Sequence, residues 1–187
     1  MQQTIQDNNL NKDIEIITHD SFMGITKFIP YATELSSLVT RTTFGVDQHD
    51  YQLYTDSDNS LDQPAHIAKA CGWASDLATT KASMPVYVGE WSALTNICVG
   101  SDGKTRAGQS GSGDGSCTTD DSSKWNDQVV EQVRRYVEAQ LDTYEANSNG
   151  HFIWSFKAGG GWGLYNLIDI GAFPMPMNTR KYPGQCS

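Results

Sequence analysis

The stretch Pro85-Val-Tyr-Val-Gly-Glu-Trp-Ser92 decides how this chain folds. A short apolar run with β-branched residues ends abruptly in Gly89-Glu90-Trp91. Its length and composition are those of a buried strand in a parallel sheet. Burying an unpaired charge is costly, so a carboxylate at the end of such a run needs a reason. α/β barrels carry their reactive groups at the C-terminal tips of their strands, and Glu90 would stand at such a tip. The plainer reading is a salt-bridge partner or a helix cap, and this stretch alone does not separate the two.

Working outward, three further strand-like runs end in chemistry of the same kind. Ile14 to Thr18 runs into His19-Asp20-Ser21-Phe22, and Thr43 to Val46 runs into Asp47-Gln-His49-Asp-Tyr51-Gln52. His151 to Lys157 carries Trp154. Helical patterns lie between them. Pro64 to Thr80 reads as one helix, with Pro at its start and Ala, Ile, Leu and Trp at helical spacing. Trp125 to Ala146 is the clearest, with Val129, Val130, Val133, Val137, Leu141 and Tyr144 forming one apolar stripe. Ser122 or Ser123 is its expected N-cap and Asn149-Gly150 its expected stop. Gly163 to Ile170 is a shorter candidate. Strand, helix, strand, helix is the alternation of a parallel sheet with right-handed crossovers, so the expected class is α/β.

Composition bounds the rest. The chain has 187 residues, 38% apolar and 19% charged, with a net charge of -9. That is a globular composition with enough apolar surface for a core. The acidic balance argues against nucleic acid or an anionic membrane as partner. No apolar run reaches bilayer length, and the polar stretch Met1 to Asn9 has no secretory leader pattern. Val99 to Ser123, rich in Gly, Ser and Asp, is expected to be a loop.

Of the four cysteines, Cys71, Cys98, Cys117 and Cys186, none has metal-site spacing, and no metal or cofactor is expected. Cys98 and Cys117 bracket the Gly/Ser loop as a staple would. A bridge from Cys71 to Cys186 would pin the tail. Two disulfides would imply an oxidising compartment, and four buried free thiols remain the alternative.

Several blocks together resemble fungal exo-β-1,3-glucanases (glucan 1,3-β-glucosidases) of glycoside hydrolase family 5. They are Val88-Gly-Glu90-Trp-Ser-Ala93, Arg134-Arg-Tyr-Val-Glu-Ala-Gln-Leu-Asp142, Phe152-Ile-Trp154-Ser-Phe-Lys157 and Arg180-Lys-Tyr-Pro-Gly-Gln-Cys186. The resemblance implies a (β/α)8 TIM barrel and a retaining hydrolase acting on β-glucan. By it, Glu90 matches the nucleophile, and His49 and Tyr51 match the pair that contacts substrate and nucleophile. Tyr54 falls at an aromatic position at the sugar-site entrance, Trp154 at the floor of the sugar subsite, and Trp162 on the cleft wall. The family's disulfide pairing corresponds to Cys71 with Cys186 and Cys98 with Cys117. An extracellular or cell-wall location follows from the same resemblance.

The chemistry suits those roles. A retaining glycosidase needs one ionised carboxylate and one carboxylic acid about 5 Å apart. His49 and the Tyr51 hydroxyl are donors that would keep Glu90 ionised. A sugar's apolar face packs on an indole. Trp73, Trp91 and Trp125 read as core, while His19 reads as either a cleft group or a satisfied core histidine, with the core favoured. His66 and His151 read as structural or solvent-exposed.

One departure is decisive. The family's acid/base Glu follows an Asn, and the 187 residues contain no Asn-Glu pair. A (β/α)8 barrel takes about 250 residues. Residues 1–187 therefore read as one partial barrel domain, the C-terminal half with strands five to eight, and Met1 to Asn11 as the end of the preceding helix. The expected function is hydrolysis of β-glucan, absent in this chain alone because it lacks the acid. The alternatives are an endo-β-1,6-glucanase of the same family, which the Gly/Ser loop leaves open, or a non-catalytic truncated product. The expected partners are a β-glucan or other β-glucoside polysaccharide and the missing N-terminal half. Open edges at strands five and eight predict self-association.

Overall fold

β-Branched runs become strands where the sequence predicts them, because such side chains fit a pleated, half-buried surface. The structure is a computed structural model that describes residues 14–38, 43–99, 105–107, 117–118 and 121–187, together with Asp7. Strands β1 (Glu15–His19), β2 (Thr43–Asp50) and β3 (Val86–Trp91) join β6 (Gly150–Ile153) in a four-stranded sheet of order β1-β2-β3-β6. All three pairings are parallel. The architecture is thus α/β, with strand neighbours in the order in which the chain makes them. The expected end of a helix at Met1 to Asn11 lies outside the described residues, apart from Asp7, which is helical.

Among the described residues the α-helices of ordinary length are α1 (Ile29–Leu38), α2 (Gln63–Gly72), α3 (Ala74–Lys81) and α4 (Asp127–Asn147), with the short α5 (Leu164–Asp169) after them. Three sequence expectations need correction here. The single helix from Pro64 to Thr80 is two, divided at Trp73 next to Gly72, a poor helix former. The divide lets the Trp73 ring stack on Tyr144, with centroids 6.0 Å apart. The N-cap of α4 is Asn126, whose side chain accepts the Val129 amide at 3.0 Å, while Ser122 and Ser123 lie in a preceding 3-10 turn. Asn149 does not end α4. It pairs with the start of β3, donating its amide to the Val86 carbonyl at 2.7 Å and accepting the Val86 amide at 3.0 Å.

The expected loop from Val99 to Ser123 contains part of a hairpin. β4 (Ile97–Val99) and β5 (Thr105–Ala107) pair antiparallel. Most of that stretch lies outside the described residues.

The core lies on one face of the sheet. Val46, Val86, Val88 and Trp91 pack there against Leu77, Val129, Val133, Val137, Leu141 and Tyr144. The apolar stripe expected on α4 is therefore its core face, with Val130 packed at the margin. Trp91 and Trp125 are buried and Trp73 packs against the core, as read.

The C-terminal tail is strapped across α4. Glu138, fully buried, pairs with Arg134 and accepts the amides of Lys181 and Tyr182 at 2.9 and 2.6 Å. Arg134 also donates to the Gly171 and Thr179 carbonyls, and the Arg135 guanidinium lies 3.8 Å from the Tyr182 ring centroid. The Cys71–Cys186 disulfide fastens the end of the tail to α2. Cys117 is also disulfide-bonded. The side chain of Cys98, its expected partner, lies outside the described residues.

Candidate active site

Among the described residues no helix covers the other face of the sheet. Strand alternation places Glu15, Ile17 and His19 of β1, Asp47 and His49 of β2, and Tyr87 of β3 on it. The Tyr87 hydroxyl donates to Glu15 at 2.7 Å, and the rings of His19 and His49 lie 4.2 Å apart. Ile17 on β1 is 47% exposed and Phe152 on β6 63% exposed.

Simple alternation along β3 would send Glu90 to the helix side and Trp91 to the open side. The opposite is observed, because β3 is irregular at Gly89. Val88 pairs with Gln48 but Glu90 with His49, so Gly89 is an extra residue with no partner on β2. The pairing of β3 with β6 slips at the same place, between Val88 and Trp91. This is a β-bulge, and it reverses the phase of the strand. Trp91 turns into the core, while Glu90 joins His49 on the open face.

There the Tyr51 hydroxyl donates to Glu90 Oε2 at 2.7 Å, and His49 Nδ1 lies 3.4 Å from the same oxygen. Burial, and then the bond to Glu90, push the Tyr51 phenol well above its ordinary range, so it stays protonated and donates. Glu90 is about a third exposed, so its carboxylate is open to solvent while the Tyr51 hydroxyl holds one oxygen and the His49 ring lies beside it. His49 Nε2 in turn lies 3.1 Å from Asp47 Oδ2.

Aromatic rings flank this cluster. Tyr54 meets the Tyr51 ring edge-on at 5.5 Å, and Trp162 lies 5.5 Å from it on another side. Trp162 is brought there by Gly161, whose amide donates to Thr118 and whose carbonyl accepts the Ala93 amide at 3.0 Å. A β-carbon at Gly161 would sit 2.7 Å from the Leu94 backbone, so only glycine permits this approach. Trp154 follows β6, its amide bonded to the Trp91 carbonyl at 2.8 Å and its indole 53% exposed. Among the described residues it takes no part in the ring contacts of Tyr51, Tyr54 and Trp162.

His19 is not core, contrary to the favoured sequence reading. It accepts the Ser21 amide at 3.0 Å and stands a third exposed beside His49. This is the cleft position, the other of its two sequence readings, and one strand alone does not show which of its faces is covered. Phe22, to which the sequence reading gave no role, lies edge-on to His19 at 5.0 Å and is 75% exposed. Asp20 builds that turn by accepting the amides of Phe22 and Gly24. An Asp just past a strand is the sequence signal for it. His66 and His151 are structural. Burial pulls both below the usual histidine range, and they are held by Gln52 with Asn96 and by the Trp91 indole, respectively. Among the described residues no cluster of three His, Cys, Asp or Glu side chains could hold a metal ion, and no helix is long and apolar enough to cross a membrane.

An ionisable carboxylate bonded on one oxygen by a phenol, with an imidazole beside it and aromatic rings around it, thus stands on the open face of the sheet. No family model matches the chain. Curated proteins do match it. It is 35% identical over 195 residues to glucan 1,3-beta-glucosidase I/II of Saccharomyces cerevisiae, covering 96% of this chain and 42% of that protein. It is 34% identical over 190 residues to a probable glucan 1,3-beta-glucosidase A of Aspergillus fumigatus, covering 95% and 43%. The glucan 1,3-beta-glucosidase of Kluyveromyces lactis is 33% identical over 196 residues, covering 96% and 44%. The chain is a relative of the fungal glucan 1,3-beta-glucosidases, matching a C-terminal portion of them. It spans less than half the length of the relatives it matches.

Proposed function

We propose that this chain is the nucleophile-bearing half of a retaining β-glucan hydrolase, with its four parallel strands forming strands five to eight of a (β/α)8 barrel. The observation that carries this reading is the convergence of Tyr51 and His49 on one oxygen of Glu90, on the uncovered face of the sheet. A parallel sheet is normally covered on both faces, and closing it into a barrel would turn this face inward. The names of its relatives support a glucan linked β-1,3 as substrate.

In this reading the Glu90 carboxylate attacks the anomeric carbon as the bond to the leaving oxygen breaks. A general acid protonates that oxygen, and water then hydrolyses the glycosyl–enzyme ester with the same group acting as base. The acid comes from outside these 187 residues. Tyr51 bonds to Glu90 and His49 packs beside it, and together they aim the carboxylate. Trp154 supplies the floor of the sugar site, Trp162 a wall and Tyr54 the entrance, each offering a ring to a sugar face. The Cys71–Cys186 bridge supports an oxidising location, extracellular or in the cell wall.

The test supplies strands one to four of a relative, in cis as a fusion or in trans as a fragment. The complemented protein is expected to hydrolyse β-1,3-glucan with retention, followed by NMR of the first-formed anomer. The uncomplemented chain is expected to hydrolyse at most aryl glycosides, whose phenol leaving groups need little protonation. Inversion, or hydrolysis undiminished by Glu90→Gln, would overturn the reading. Preference for β-1,6-glucan would keep the mechanism and change the substrate.

A further inference from the structure

The bulge at Gly89 leaves a backbone amide that the β2 ladder does not use, and Asp47 takes it. Asp47 Oδ1 accepts the Gly89 amide at 2.5 Å, and Oδ2 lies 3.1 Å from His49 Nε2. A β-carbon built on Gly89 would fall onto that carboxylate. The carboxylate therefore fills the place of the missing side chain. A closed circuit results: Asp47 holds Gly89, Gly89 precedes Glu90, Glu90 faces His49, and His49 returns to Asp47. Asp47 is only 18% exposed, so both of its bonds are sheltered from water and count for more than surface contacts would.

The geometry points to Asp47 as a positioning residue: it latches the bulge that turns Glu90 to the open face and orients the His49 ring toward Glu90. It does not touch the reacting atoms. It acts through the backbone on one side and through an imidazole on the other. The latch itself is a property of the fold, whereas its catalytic meaning rests on reading Glu90 as the nucleophile.

The two halves of the latch separate by mutation. Asp47→Asn keeps an oxygen for the Gly89 amide but sets a neutral amide group against His49. Asp47→Ala removes both. In the chain labelled with nitrogen-15 glycine and histidine, Asp47→Ala is expected to speed hydrogen exchange at the Gly89 amide by about tenfold or more, the loss of a charge-assisted bond. Asp47→Asn is expected to leave that rate within about threefold while shifting the His49 ring nitrogen signals, as Asp47→Ala also does. A variant that merely loosened the fold would not single out that ring. Unchanged Gly89 exchange in Asp47→Ala, or an unchanged His49 ring in both variants, overturns the proposal.

A second readout concerns space. Gly89→Ala is expected to lower the melting temperature sharply, and to lower it less than half as much in the Asp47→Ala background. If Gly89→Ala alone gives no folded protein, recovery in the double variant is the same result. An equal penalty in both backgrounds, or no recovery, counts against the latch. None of these measurements needs activity. In the complemented enzyme Asp47→Asn should lower kcat about tenfold with KM changed less than about twofold. Hydrolysis at full kcat in that variant overturns the positioning role. The NMR effects without any hydrolysis by the complemented parent protein would leave the latch standing and sink the glycosidase reading.

Discussion

The two faces of the parallel sheet are built from alternate residues of the same strands, yet they obey opposite rules. The covered face is Val46, Val86, Val88 and Trp91, sealed by α4 and its neighbours. The open face carries His19, Asp47, His49 and Glu90, linked in turn by ring, ion-pair and hydrogen-bond contacts, with Tyr87 bonded to Glu15 beside them. Packing holds the first, and the partners fill space. Directed polar contacts hold the second, and the partners fix directions. Between them stands one residue, Gly89, which decides that Glu90 belongs to the open face and Trp91 to the covered one. A face rich in mutually oriented polar groups is what a sheet shows where it binds something rather than where it is merely wet.

The comparison breaks first at Glu90. In the complemented protein Glu90→Gln should cut turnover by about four orders of magnitude while circular dichroism is unchanged, since removing a covalent nucleophile removes the pathway. Retained turnover would show that the open face is not catalytic. Next comes the contrast in packing. Leu141→Ala, on the covered side, should cost about 2–5 kcal/mol in urea unfolding, whereas Ile17→Ala, on the open side, should cost under about 0.5 kcal/mol in the uncomplemented chain. Equal costs would mean that something already covers the open face, a second copy of the chain being the first suspect. Complementation should then raise the cost of Ile17→Ala.

Tyr51→Phe tests a single directed contact. Losing a bond to a charged group costs about 1.5–3 kcal/mol, so kcat of the complemented protein should fall about tenfold to a hundredfold.

The most delicate difference lies at Asp50, which points to the covered side between His49 and Tyr51. Burial raises its carboxyl to about 7 from 3.8, against the opposing bonds from Gln48 and Tyr144. A raised value means that the folded state holds the proton more tightly than the unfolded one. The stability it contributes is complete below about pH 3.8 and is lost as pH rises to about 7. Asp50→Asn should flatten that part of the stability curve, read by urea unfolding at pH 5 and pH 8. An unchanged slope would place the titrating group elsewhere.

Much of this was legible in the sequence, for reasons that differ by residue. The strands showed themselves through β-branched runs, and α4 through a stripe at helical spacing, because both are local patterns. Glu90, His49 and Tyr51 were found as polar residues at the ends of such runs. The phase of β3 was not legible. Val-Tyr-Val-Gly-Glu-Trp reads as one unbroken strand, and only pairing with β2 and β6 reveals the extra residue. Asp47 escaped for the same reason, since its partner amide exists only because of the bulge. His19 was misread because whether a strand face is covered depends on elements far away in sequence. Helix α1 escaped because Pro30, Thr33, Ser36 and Ser37 are weak helix formers. The division of α2 from α3 had one local signal, Gly72, but the Trp73–Tyr144 stacking that goes with it joins residues far apart in sequence.

The Cys71–Cys186 bond has a mechanical consequence. It closes a covalent loop spanning 115 residues, and a load applied across the two ends of the chain passes from Cys186 straight into α2. β3, α4 and β6 lie inside that loop and carry no tension. β1 and β2 lie outside it and do. Glu90 is therefore in the shielded segment, and His49 and Tyr51 in the loaded one. Tension would peel β2 from β3 along the seam between the carboxylate and the Tyr51 and His49 side chains, and reduction of the Cys71–Cys186 bond would extend the loading to β3 and β6.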